Sequence, residues 1–171
     1  MKRFAIAVML VFATSSLAFA NIGLRLTPDR FVRQYDFQCK KRGLPDRISI
    51  LRLQKSTFGK SFAKDFGNNL TMTGIVSNDA KNIDAIILLC NNPKPSENTI
   101  VRMTKHYRSL IAIFSAHLYE KEQDALLRNL YYSKNGHPNT KKVIVDKDVR
   151  YDFSITSSMG YMLVISNEND Q

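Results

Sequence analysis

Three histidines, two cysteines and no tryptophan give this 171-residue chain a thin supply of catalytic and metal-binding chemistry. His106, His117 and His137 are scattered, and no motif gathers the four converging ligands a structural zinc site needs. On one continuous helix His106 and His117 would stand about 16 Å apart along the axis, too far to share an ion. His117 and Glu120 have His-x-x-Glu spacing, but the helical pattern breaks between them. No phosphate-cradling loop, no G-x-G-x-x-G and no G-x-S-x-G occurs. Ser158, close to Gly160, reads as a turn residue. Glu120 and Glu122 are two apart, so on a helix their side chains diverge and make a poor acid/base pair. These absences predict a protein that is not an enzyme and that holds no cofactor or metal.

Long apolar runs are missing as well, except at the start. Lys2 and Arg3 precede an unbroken apolar stretch from Phe4 to Ala13, and Ala18-Phe19-Ala20 supplies small residues where a signal peptidase reads. The expectation is a signal peptide over residues 1–20, cleavage before Asn21, a periplasmic product and one domain over residues 21–171. Position 21 is not cysteine, which argues against a lipid-modified N-terminus. No later run has the twenty or so apolar residues a spanning helix needs, so no stable membrane insertion is expected after cleavage. The oligomeric state is not legible.

Acidic charge is scarce in the first half. Between residues 21 and 65 there are eleven Lys or Arg against four Asp, whereas residues 66–171 are nearly balanced. A basic half attracts acidic proteins, nucleic acid or anionic lipid. Arg30, Arg33, Lys40, Lys41, Arg42 and Arg47 form the candidate basic binding surface. Lys40-Lys41-Arg42 also falls in the last turn of a predicted helix, where cations complement the helix dipole. Phe31, Tyr35 and Phe37 interleave with these cations. Phe31 and Tyr35 fall on a buried stripe and Phe37 off it, with Tyr132 and Tyr161 as further exposed candidates. Stacking on nucleic acid is the weaker reading of this pattern.

Cys39 and Cys90 are an even pair in an exported chain, which predicts a disulfide. It would clamp the first helix onto the strand over residues 84–90.

The element pattern is clearest in that first helix. Thr27 is a good N-cap, Pro28 suits the first helical position, and Leu26 with Phe31 makes a hydrophobic staple. Phe31, Tyr35 and Cys39 recur every four residues, and Gly43 ends the helix. Strand-like runs follow at residues 47–54, 57–62 (weaker), 70–77 and 84–90. Ser96 caps a second helix whose apolar stripe runs from Ile100 to Leu118, and a third covers residues 120–131. Closing strands are expected at residues 142–145, 149–156 and 161–166, with a frayed tail from Asn167. The fold class is α+β: antiparallel sheet with helices packed on one face, in the order helix, strand meander, two helices, strand meander.

Several segments taken together carry a resemblance. They are the run from Thr27 to Tyr35, the strand Leu70-Thr71-Met72-Thr73-Gly74-Ile75-Val76, the helix end from Asp124 to Leu130, and the closing segments Val149–Ser154 and Gly160–Ile165. The chain resembles a group of small, uncharacterised exported proteins of Proteobacteria. The resemblance covers most of the mature chain and implies compartment and fold; it brings no catalytic residue with it. The functional expectation is therefore a non-enzymatic periplasmic binding protein engaging an acidic macromolecular partner. The alternatives are a binder of nucleic acid or lipid headgroups, and an immunity or inhibitor protein against a periplasmic effector.

Overall fold

Thr27 opens helix α1 (Pro28–Lys41) with its hydroxyl accepting from the Arg30 amide at 3.3 Å, Pro28 at the first position and Asp29 in the first turn. In this computed structural model the described residues are 24–48, 53–56, 59–79, 81–133 and 135–168. The leader reading falls outside them, as do residues 49–52 of the first expected strand, 57–58 of the second and 169–171 of the tail. α1 leads through a loop to four antiparallel strands: β1 (Gln54–Ser56), β2 (Gly59–Gly67), β3 (Leu70–Val76) and β4 (Ile83–Cys90). Two helices follow, α2 (Glu97–Phe114) and α3 (Glu120–Tyr131), then β5 (Lys141–Asp146), β6 (Val149–Thr156) and β7 (Gly160–Asn167). All seven strands join one antiparallel sheet in the order β1-β2-β3-β4-β7-β6-β5. The second meander docks on the first through β4 and β7, where Ile86 pairs with Ile165 and Leu88 with Leu163. The architecture is α+β, with the expected element order.

β4 lies mid-sheet and carries the longest apolar strand run, as a strand buried on both faces must. On one face Ile86, Leu88 and Cys90 join Met72, Leu163, Ile165, Tyr151 and Phe153 under the helices. Phe31, Tyr35, Met103, Tyr107, Leu110, Leu127 and Leu130 come down from those helices to the same core. Burying each large side chain contributes roughly 2 kcal/mol. On the opposite face Ile75, Ala85 and Ile87 form a smaller cluster with Met162 and Val164. Ile75 thus points away from Leu70 and Met72. Among the described residues, no helix is long and apolar enough to cross a membrane.

Four expectations change. Residues 47 and 48 are not in a strand, and β1 begins only at Gln54. β2 runs on to Gly67, beyond the expected end at residue 62, because Phe62 and Phe66 both reach the core while Lys60 and Lys64 share their face half-exposed. α2 stops at Phe114, so Leu118 packs from the turn rather than from the helix. Asn167 is not frayed: it closes β7 at 4% exposure, and the Glu168 amide donates to the Asp148 carbonyl at 2.9 Å.

The predicted disulfide is absent, because Cys39 and Cys90 are both free and fully buried. Their surroundings give the reason. The Cys39 thiol lies with Tyr35 and Ser109, whereas Cys90 lies near Tyr107. Ser109 and Tyr107 are two apart on α2, so they face different sides of that helix and the two thiols are held apart. Burial pushes the Cys39 thiol up to about 11 and raises Cys90 too. Neither is a thiolate at neutral pH. A thiol-alkylating reagent is therefore expected to leave the native protein unmodified at pH 7 and to label both cysteines once it is denatured without reductant. Rapid labelling of native protein would contradict the packing.

Candidate functional site

Polar side chains that bear on the expected sites gather in a buried chain under α1, in a staple behind the α2–α3 turn, and on the outer face of α1.

The buried chain starts with Tyr35, aimed inward from α1, whose hydroxyl donates to His106 Nδ1 at 2.5 Å. His106 Nε2 then donates to Asp46 Oδ2 at 3.1 Å. Arg102 grips the same carboxylate twice, from Nε to Oδ2 at 2.6 Å and from Nη2 to Oδ1, and Nη2 also donates to the Phe66 carbonyl at 2.7 Å. Arg102 and His106 are four apart on α2, so both reach one point beneath the loop after α1. The Asp36 carboxylate accepts from the Ile48 amide at 2.9 Å and holds that loop a second time. The His106 ring stacks on Phe66 at 4.6 Å and on Tyr35 at 6.1 Å, and those two rings stack on each other at 6.3 Å.

Burial sets the charges here. It drives His106 down to about 4, against the opposing pull of Asp46, so the imidazole is neutral at pH 7. Burial would raise the Asp46 carboxyl, but the Arg102 hydrogen bonds and the His106 contact outweigh it and hold the group below the ordinary carboxylate value. Desolvation raises the Tyr35 phenol far out of reach of ionisation. Tyr35 and His106 are fully buried. A tyrosine, a histidine and a carboxylate in series could relay a proton, yet neither ring meets solvent or a cleft. The chemistry this arrangement performs is attachment: it ties α1, the following loop, α2 and the end of β2 together.

The staple contains Ser115, His117 and Asp146. Ser115 Oγ donates to Asp146 Oδ2 and bonds the Tyr151 hydroxyl at 2.8 Å, while His117 Nε2 lies 3.1 Å from Asp146 Oδ1. Here the carboxylate stands between serine and histidine. Nucleophilic catalysis needs the histidine in the middle, taking the serine proton, and Ser115 is fully buried. The three residues pin the α2–α3 turn to the β5–β6 hairpin. His106 and His117 belong to different networks, and the helix that carries His106 ends at Phe114, before His117. His137 is exposed in a loop. Among the described residues no three His, Cys, Asp or Glu side chains cluster as metal ligands. Ser158 sits exposed in the β6–β7 turn, as expected.

The outer face of α1 is different in kind. At about 100° per residue, Arg30, Arg33, Phe37, Lys40 and Lys41 fall within about a third of the circumference, opposite Phe31, Tyr35 and Cys39. All five are exposed, and the Phe37 ring is 64% exposed at the middle of the stripe. Asp29 borders the stripe about 20° from Lys40, whereas Asp36 lies about 40° off it and is occupied by the Ile48 amide. The helix thus brings together four of the six predicted basic residues. Arg42 is not among them: it caps the helix, half-buried, with Nη1 bonded to the Gln38 side chain. Arg47 lies exposed in the loop after α1, next to Asp46. Tyr132 is 51% exposed as expected, but Tyr161 is half-buried against the core.

The sequence reading missed the buried chain. Its signal was a histidine inside the apolar stripe of α2, between Met103 and Leu110, since a polar group on a buried face must find partners. Nothing near His106 in sequence names Asp46 as that partner. No family model, no curated protein and no solved structure matches this chain.

Proposed function

We propose that this is a non-enzymatic interaction protein of the periplasm, and that the outer face of α1 engages an acidic protein partner. The observation that carries the reading is the stripe of Arg30, Arg33, Lys40 and Lys41 around an exposed phenylalanine. Arginine and aromatic side chains are the residues in which interface energy concentrates. A basic field steers an acidic partner and fixes its orientation. The inner face of α1 is fixed by aromatic stacking, with Phe31 on Tyr35 at 5.6 Å and on Phe114 at 6.0 Å. The buried Tyr35–His106–Asp46–Arg102 chain adds to that mounting. A helix held this firmly presents its outer residues already ordered, which lowers the entropic cost of association.

The test is capture on the immobilised protein from an envelope extract, eluted with rising salt. An acidic protein is expected to elute as salt increases, and to be lost when Arg30, Arg33 and Lys40 are changed together to glutamate. No partner at any salt, or capture unaffected by the charge reversal, would reject the proposal.

A further inference from the structure

We infer that the cleft where α1, α2 and α3 converge receives a carboxylate side chain of the protein partner, held by Arg42 and Lys105. The inference rests on the proposed reading of the α1 face and adds a recognition pocket to it. The cleft has a volume of about 250 Å³ and is lined by Arg42, Lys105, Arg108, Glu120, Gln123 and Asp124. Its two carboxylates are already engaged. Asp124 Oδ1 lies 3.0 Å from Arg108 Nε, and Glu120 Oε1 lies 3.8 Å from Lys41 Nζ.

Among the described residues, Arg42 and Lys105 have no carboxylate within ion-pair distance. The charge left over in the cleft is therefore positive. Burial pulls the Arg42 guanidinium below its ordinary value; Glu120 and Asp124 on the cleft wall oppose that, and the nearby Arg108 adds to it. Its head is aimed by the Gln38 side chain, one turn back on α1. The cleft is also continuous with the proposed surface, since Lys41 belongs to the α1 stripe and pairs with Glu120 on the cleft wall. A partner lying along α1 would bring its acidic residues past Lys40 and Lys41 to the mouth of the cleft. There a carboxylate would supply the counter-charge that Arg42 and Lys105 lack, with charge-assisted hydrogen bonds from both.

The experiment is a fluorescence-anisotropy titration of the protein with a labelled oligoglutamate peptide. Lys105→Gln and Arg42→Gln are each expected to weaken binding about tenfold, while Lys142→Gln on β5 leaves it unchanged. Circular dichroism of each variant separates loss of binding from loss of fold, and Lys105→Gln removes no helix cap. If Arg33→Gln weakens binding while both cleft variants bind as the parent does, the pocket is overturned and the α1 reading stands. If Arg33→Gln and the cleft variants all bind unchanged, both fall. A labelled single-stranded oligonucleotide bound more tightly than oligoglutamate at equal salt would overturn the protein partner in favour of nucleic acid.

Discussion

Replacing Asp46 with alanine is expected to destabilise the protein by about 3 kcal/mol, the cost of leaving a largely buried ion pair without one partner. Arg102 loses its carboxylate, His106 loses its Nε2 acceptor, and the loop after α1 loses the side chain that holds it to α2. Arg102 is 23% exposed and recovers some hydration, which places the loss at the low end for a buried pair.

The same network makes stability depend on acidity. His106 has a folded value of about 4 against an ordinary 6.5. Between those values the unfolded chain binds a proton that the folded chain refuses, so stability falls as pH drops from about 6.5 to about 4. The whole window is worth about 3 kcal/mol. Asp46, held low by Arg102, continues the loss at lower pH, as its folded value lies below 3.8. Urea midpoints measured across this range should decline toward acid. His106→Gln, which cannot titrate, should flatten the decline between pH 6.5 and 4. A parent midpoint that does not move over that window would show that His106 is solvated rather than buried.

The second large effect is expected at Gly160. It opens β7 with φ at +76°, and a Cβ there would lie 2.3 Å from the Cys90 carbonyl oxygen and 2.6 Å from that of Asn92. Both obstacles are backbone, so no rotamer relieves them. Gly160→Ala adds the strain of a left-handed alanine, about 1 kcal/mol, to a collision that must displace the β6–β7 turn or the end of β4. The expected loss is at least about 3 kcal/mol. Gly43 makes the internal comparison. Its φ is +63°, but a Cβ there meets nothing within 4 Å. Gly43→Ala should cost about 1 kcal/mol from strain alone. Equal melting temperatures for the two variants would contradict the tight approach of the β7 start to the end of β4.

What the sequence could show divides along physical lines. α1 was legible to the residue, because Thr27, Pro28, Leu26 with Phe31 and Gly43 all act within one turn of their own position. β4 was legible because a strand with both faces buried has to be apolar throughout. β2 was legible only in part: Phe62 and Phe66 are its main apolar anchors, and the charged residues beside them disguise a strand that reaches Gly67. The exposure of Arg30, Arg33, Phe37, Lys40 and Lys41 was legible because it follows from helical period, whereas Arg42 turns half-buried at the helix cap and Arg47 lies in the loop. The buried chain was not, since Tyr35, Asp46 and His106 come from separate elements and only the fold joins them. The cysteine pairing failed for a related reason. An even count gives no geometry, and α2 holds the two thiols apart.

The central claim is that the exposed side of α1 does the protein's work. The most direct measurement places a photo-crosslinking aromatic at Phe37 in the full-length protein and irradiates intact cells that produce it. The account predicts one dominant adduct with an acidic envelope protein, lost when Arg33 and Lys40 are changed to glutamate in the same molecule. Irradiation that yields no adduct, or an adduct that survives the charge reversal, would contradict it.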